Sequence, residues 1–236
     1  MGRVFEKRKH KMFARYAKMS RTFTKIGKEI AIAVKAGGAD PDGNSRLRVL
    51  IANAKAVNMP KVNIDAAIQR ASTKQEKDFQ EVVYEGKALH SVALVIETAT
   101  DNPTRTVAAL RSYFSKKGGQ MLVSGSLDFI FERKGIFRIK SAGLNKDELE
   151  LELIDAGLEE MEDDEEGGLI LSVPFNEFGK MQQALEAKKI EITNAELQRI
   201  ATTFIELTEE QEEEINKLID LIEDDDDVTN VWHNIK

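Results

Sequence analysis

Arg21-Thr22-Phe23-Thr24-Lys25-Ile26-Gly27-Lys28-Glu29-Ile30-Ala31-Ile32-Ala33-Val34-Lys35 carries two periodic patterns at once. Phe23, Ile26, Ile30 and Val34 recur at spacings of 3, 4 and 4, which places them in one apolar stripe of a helix. Arg21, Lys25, Lys28 and Lys35 fall within about 80° of one another on the opposite side, at about 100° per residue. Glu29 is the one acid among them. Ser20 can cap the start and Gly37-Gly38 can close the end in a left-handed turn, so the pattern predicts a helix over 20–37. One face of it is buried and the other shows a row of cations.

The flanking segments extend this into a domain. Ala39 to Asn44 is a turn-rich loop. A second helix from about Ser45 to Asn58 would bury Leu47, Leu50, Ile51 and Ala54 and show Arg46, Arg48 and Lys55. Met59-Pro60 breaks it, because proline disfavours helix at the residue before it. A third helix to about Ala71 would bury Ile64, Ala67, Ile68 and Ala71. Upstream, residues 1–19 are basic and poorly periodic, with their densest cluster at Lys7-Arg8-Lys9-His10-Lys11. Thr73 to Gln80 reads as a linker.

Beyond it the texture changes. Val82 to Tyr84 and Val92 to Glu97 read as strands, and Asp101-Asn102-Pro103 opens a helix with proline in its first turn. Leu127, Phe129 and Phe131 alternate and predict a half-buried strand. A second strand–helix series follows: a strand at 136–139, a helix at 146–156, a strand at 169–173, a helix at 175–189, and strands at 191–193 and 203–207. An acidic helix over 209–222 and a strand over 228–232 close the chain. Strands separated by helices with modest crossovers predict small α/β sandwiches.

Charge divides along the same line. Residues 1–74 hold 17 Lys+Arg against 5 Asp+Glu, a net of +12, whereas the other 162 residues hold 17 against 36, a net of −19. A basic segment joined to an acidic body points to a polyanion-binding face. The chain of 236 residues has no cysteine, which excludes disulfides, thiolate metal sites and cysteine nucleophiles. No apolar run approaches the roughly 20 residues of a membrane span, and the N-terminus has no secretory pattern, so a cytoplasmic protein is expected. His10, His90 and His233 do not stand at metal-ligand spacing, and no phosphate-cradling glycine loop or nucleophile elbow occurs. The acidic runs at 159–166 and 223–227 lack the order of a calcium loop and read as solvated loops that would repel nucleic acid. Neither a cofactor nor a metal is expected. Convergence of Glu85, His90, Asp101 and Arg105 is the one arrangement that would suit an enzyme; Asp101 and Arg105 are better explained as groups at a helix start.

Several stretches resemble the YebC-like family, whose members carry the label probable transcriptional regulatory protein and include the mitochondrial translational activator of cytochrome oxidase subunit one. These are Thr22 to Ile30, Gly37 to Pro41, Asn44 to Arg48, Ala54 to Ile64, Tyr84-Glu85-Gly86, Thr100 to Thr106, Gly125-Ser126-Leu127 and Val231 to Asn234. The chain departs from the family in three places: Phe5 stands where the family usually has a Trp before its Lys-His-Lys cluster, Lys87-Ala88-Leu89-His90-Ser91 stands where it usually has a Gly-Pro-Gly loop, and Lys61-Val62-Asn63 lacks the usual acidic middle residue. The resemblance implies an α+β fold of three domains. A basic helical domain covers 1–77, a split α/β domain covers 78–135 plus 206–236, and a third α/β domain, 136–205, is inserted between those halves. It implies no enzymatic activity.

Two functions follow as expectations. The first is a DNA-binding transcriptional regulator that contacts phosphates through Lys9, Lys11, Arg15, Lys18, Arg21, Lys25, Lys28, Lys35, Arg46 and Arg48. The second is a ribosome-associated translation factor that binds rRNA with the same cations. Either would act as a monomer, with no membrane partner and no small-molecule substrate.

Overall fold

The computed structural model describes residues 3–73, 78–141, 143–164 and 167–236, and of residues 3–17 the backbone alone. The first helix, α1, runs without a break from Arg3 to Gly37. At 1.5 Å per residue its length is about 50 Å. The expected start at Ser20 is therefore wrong. No proline interrupts the run, and the Ser20 carbonyl accepts from the Thr24 hydroxyl at 3.0 Å, a bond back along the helix of the kind an interior position makes.

Helices α2 (Ser45–Ala56) and α3 (Lys61–Ser72) pack on the C-terminal half of α1. Ile26, Ile30, Val34, Leu47, Leu50, Ala54, Ile64, Ala67 and Ala71 form the core between them. Asn44 fixes the α1–α2 corner. Its Oδ1 accepts from the Leu47 N–H, which caps α2, and its Nδ2 donates to the Ala33 and Gly38 carbonyls. A Cβ at Gly37 would lie 2.8 Å from that Nδ2, so the side chain can enter only beside glycine.

Two antiparallel four-stranded sheets follow. Strands β1 (Gln80–Lys87), β2 (Ala93–Thr100), β3 (Gln120–Leu122) and β8 (Val228–His233) form the first, in the order β3-β1-β2-β8. Strands β4 (Phe131–Lys140), β5 (Glu160–Asp163), β6 (Gly168–Pro174) and β7 (Ile192–Ala201) form the second, in the order β5-β6-β4-β7. Helices α4 (Pro103–Lys116) and α7 (Glu209–Glu223) cover one face of the first sheet, burying Leu94, Ile96, Leu110, Phe114, Leu218 and Ile222. Helices α5 (Lys146–Ile154) and α6 (Phe178–Ala187) cover the second sheet, burying Phe137, Leu153, Leu171, Met181 and Leu185. The protein is thus α+β, with the second sheet inserted between β3 and the α7–β8 unit that completes the first.

Several strand expectations fail for identifiable reasons. Residues 124–130 are turns, and β4 starts only at Phe131. The buried Glu85 carboxylate accepts from the Gly125 and Leu127 N–H groups, at 2.7 and 2.8 Å, and so withdraws them from any ladder. Phe129 is left 78% exposed. The expected short strands at 191–193 and 203–207 are replaced by the ten-residue β7, followed by a single bridge at Ile205. Alternation is masked in β7 because its polar residues are half-buried against neighbouring domains. The acidic run at 159–166 is not all solvated loop: Glu160–Asp163 pair with β6 as an edge strand, with Met161 turned against the core.

Two backbone positions yield a test. A Cβ at Gly86 would stand 2.2 Å from the ring of the buried Phe114. Gly86→Ala is therefore expected to lower stability by about 3 kcal/mol. In the loop between β1 and β2, His90 and Ser91 have φ of 55° and 65°, where side chains are disfavoured. Ser91→Gly should raise stability by about 0.5–1 kcal/mol. Urea unfolding of both variants measures the two opposite shifts.

Candidate nucleic-acid interface

The cation row of α1 meets the chain's own acidic loop. Arg21 pairs with Asp224. Lys25 Nζ donates to the Glu223 carbonyl at 2.9 Å. Lys28 Nζ donates to the Asp226 carbonyl at 2.7 Å and to Asp227 Oδ1 at 2.8 Å. The run 223–227 is not all solvated loop: Glu223, Asp224 and Asp226 are exposed, but Asp227 is buried and the loop turns from α7 into β8 against α1. Burial lowers the Lys25 pKa, with the Glu223 charge opposing that shift.

Asp227 is the centre of the arrangement. Its other oxygen accepts from Arg105 Nη2 at 2.6 Å, Thr106 Oγ1 at 2.9 Å and Thr100 Oγ1 at 3.0 Å. Arg105 also reaches Asp101 at 2.7 Å. Asn102 caps α4 by accepting from the Arg105 N–H, which sets the helix start and aims Arg105 and Thr106 at Asp227. Burial pushes the Asp227 carboxyl up, but the bonds from Lys28, Arg105 and Thr106 outweigh it and hold the pKa at about 2. The segment Thr100 to Thr106 is therefore a cradle for one carboxylate.

The remaining cations behave alike. Lys35 meets Asp78 at 2.5 Å, and Arg46 pairs with Glu81. Arg48 forms a two-point pair with Glu186, at 2.9 and 2.8 Å, and donates to the Pro41 and Asp42 carbonyls. Each of these pairs has its cation in the helical domain; Glu81 and Glu186 belong to the α/β body and Asp78 to the segment leading into β1. Lys18 is exposed. Lys9, Lys11 and Arg15 have side chains outside the described residues, though their backbone belongs to α1.

Glu29 stands within reach of charges from all three parts of the fold: Arg46 of α2, Glu81 and Glu97 of the first sheet and Glu196 of the second. Burial raises its pKa to about 7, the Glu81 charge adds to the shift, and Arg46 opposes it. Nearby, Arg199 of β7 donates to Glu97 of β2 at 3.0 Å and so links the two sheets. Asn53 of α2 donates to the Ala195 carbonyl and accepts from the Ala195 N–H, acting as a ladder partner on the free edge of β7. Neither role has a signal in the sequence.

The four residues considered for catalysis do not converge. Glu85 holds the 125–127 turn and His90 Nε2 lies 3.0 Å from Glu214, while Asp101 and Arg105 serve Asp227.

A family model described as the TACO1/YebC protein N-terminal domain matches residues 3–74, and one described as the TACO1/YebC second and third domain matches residues 79–235. The chain belongs to the TACO1/YebC family. It is 54% identical to a probable transcriptional regulatory protein of Wolinella succinogenes, with both chains covered in full. It is 50% identical to one of Flavobacterium johnsoniae over 100% of this chain and 99% of that one. The crystal structure of a conserved hypothetical protein from Aquifex aeolicus has 32% identity and a TM-score of 0.75, over 92% of this chain and 90% of that chain. Similarity to the named regulators runs through both the helical domain and the α/β body.

Two carboxyls shifted in opposite directions give opposite pH signatures. For Asp227 the folded pKa lies below the ordinary 3.8, so its contribution is full above pH 4 and is lost as pH falls toward 2. The advantage of the parent over Asp227→Asn is expected to be about 3 kcal/mol at pH 6 and to shrink by about 2 kcal/mol by pH 2. For Glu29 the folded pKa lies above 4.5, so stability is lost as pH rises through 7. Glu29→Gln should gain about 2 kcal/mol on the parent between pH 5 and pH 8. Denaturant titrations across pH check both.

Proposed function

We propose that this chain is a non-enzymatic transcriptional regulator that holds duplex DNA through phosphate contacts from the N-terminal half of α1. The observation that carries the reading is the distribution of charge along that helix. Residues 3–18 hold Arg3, Lys7, Arg8, Lys9, Lys11, Arg15 and Lys18 against Glu6 alone. From residue 21 onward, most of the cations proposed for phosphate contact meet acids of the body instead. The described core of the helical domain draws on α1 from Phe23 onward, and the same helix continues for about five turns upstream of that residue. Lys9, Lys11, Arg15 and Lys18 are the primary contacts, with Arg21, Lys25, Lys35, Arg46 and Arg48 secondary, while Lys28 stays on the buried Asp227.

Phosphate contacts position a protein without reading bases, so binding is weakly sequence-specific. Engagement of seven cations gives a log–log salt slope of about −6 on duplex DNA. Fluorescence anisotropy with a labelled duplex across salt concentrations measures it. A slope near zero refutes the proposal. Tighter binding to a structured rRNA fragment at equal salt would move the assignment to a ribosome-associated translation factor that uses the same residues.

A further inference from the structure

We infer that the loop 223–227 is a built-in competitor for the polyanion site: it covers Arg21 and Lys25 of α1 and yields them to nucleic-acid phosphates. This rests on the proposed nucleic-acid reading and adds a gate to it. The loop offers α1 only oxygen acceptors: the Asp224 and Asp227 carboxylates and the carbonyls of Glu223 and Asp226. A phosphate backbone presents the same chemistry to the same cations.

The contact has two parts of different strength. The inner pair, Lys28 with Asp227, has side chains 12% and 7% exposed and is locked by Arg105, Thr100 and Thr106. The outer pair, Arg21 with Asp224, has side chains 39% and 65% exposed. Exposed pairs contribute little and are screened by salt, so the outer pair can exchange while the inner one holds the domains together. Arg21 also lies one turn beyond Lys18, so its release extends the proposed phosphate-contacting stretch of the same helix. By linkage, a polyanion that captures Arg21 and Lys25 loosens the loop, and a loop without its carboxylates binds the polyanion more tightly.

The test uses the full chain and a 20-bp DNA duplex. Asp224→Asn/Asp226→Asn removes two of the loop's three exposed carboxylates, sparing Glu223, and leaves Asp227 intact. Glu209→Gln/Glu210→Gln makes the same change of charge at the other end of α7, roughly 20 Å away and beyond a Debye length. The loop variant should bind about three- to ten-fold tighter than the parent, with a salt slope steeper by about one. The control should change less than two-fold. Equal effects of both variants, or no effect of either on a parent that binds, overturn the gate and leave the nucleic-acid reading standing. Binding by the loop variant alone supports both. No binding by any of the three proteins, to DNA or to RNA, removes the reading and the gate together.

Discussion

Asp227 is buried at the point where three parts of the chain meet, and its carboxylate bonds to each of them. Lys28 arrives from α1, Thr100 from the end of β2, and Arg105 and Thr106 from the first turn of α4. A lone buried carboxylate would be strongly unfavourable. Four donors remove that penalty and make each donor's position conditional on the others. The loop that carries Asp227 also sets where α7 ends and β8 begins, and β8 completes the first sheet. Losing this carboxylate therefore loosens the helical domain, the start of α4 and the last strand together.

The charge asymmetry takes on a second meaning from this geometry. The helical domain is basic and the body acidic partly because they dock on each other. Arg21, Lys28, Arg46 and Arg48 each meet an acid of the α/β body, and Lys35 meets Asp78 of the segment leading into it. Under the proposed reading, polyanion binding would draw on some of the side chains that dock the domains, and the two would be coupled. The seven cations of residues 3–18 lie upstream of these pairs on the same helix.

Much of the architecture was legible in the sequence. The apolar stripes of α1, α2 and α3 give the helical core, and Ile26, Ile30, Leu47, Leu50 and Ala54 occupy it as their spacing requires. The inserted sheet follows from the family resemblance. What could not be read arises from contacts distant in sequence. Glu85 converts an alternating stretch into a turn from 40 residues away. Lys25 and Lys28 have the pattern of a solvated face, yet meet a loop 198 residues downstream. Asp101 and Arg105 look like helix-start groups, and only the arrival of Asp227 gives Arg105 its second partner. Local periodicity shows which face of a helix is polar; it carries no information on whether water, nucleic acid or another domain faces it.

The central claim is that one carboxylate couples the basic helical domain to the acidic body. A double-mutant cycle between Lys28→Ala and Asp227→Ala, read by urea unfolding at pH 7, measures that coupling directly. The account predicts an interaction energy of about 2 kcal/mol, with each single variant costing nearly as much as the pair. Additive losses, with a coupling below about 0.5 kcal/mol, would contradict it.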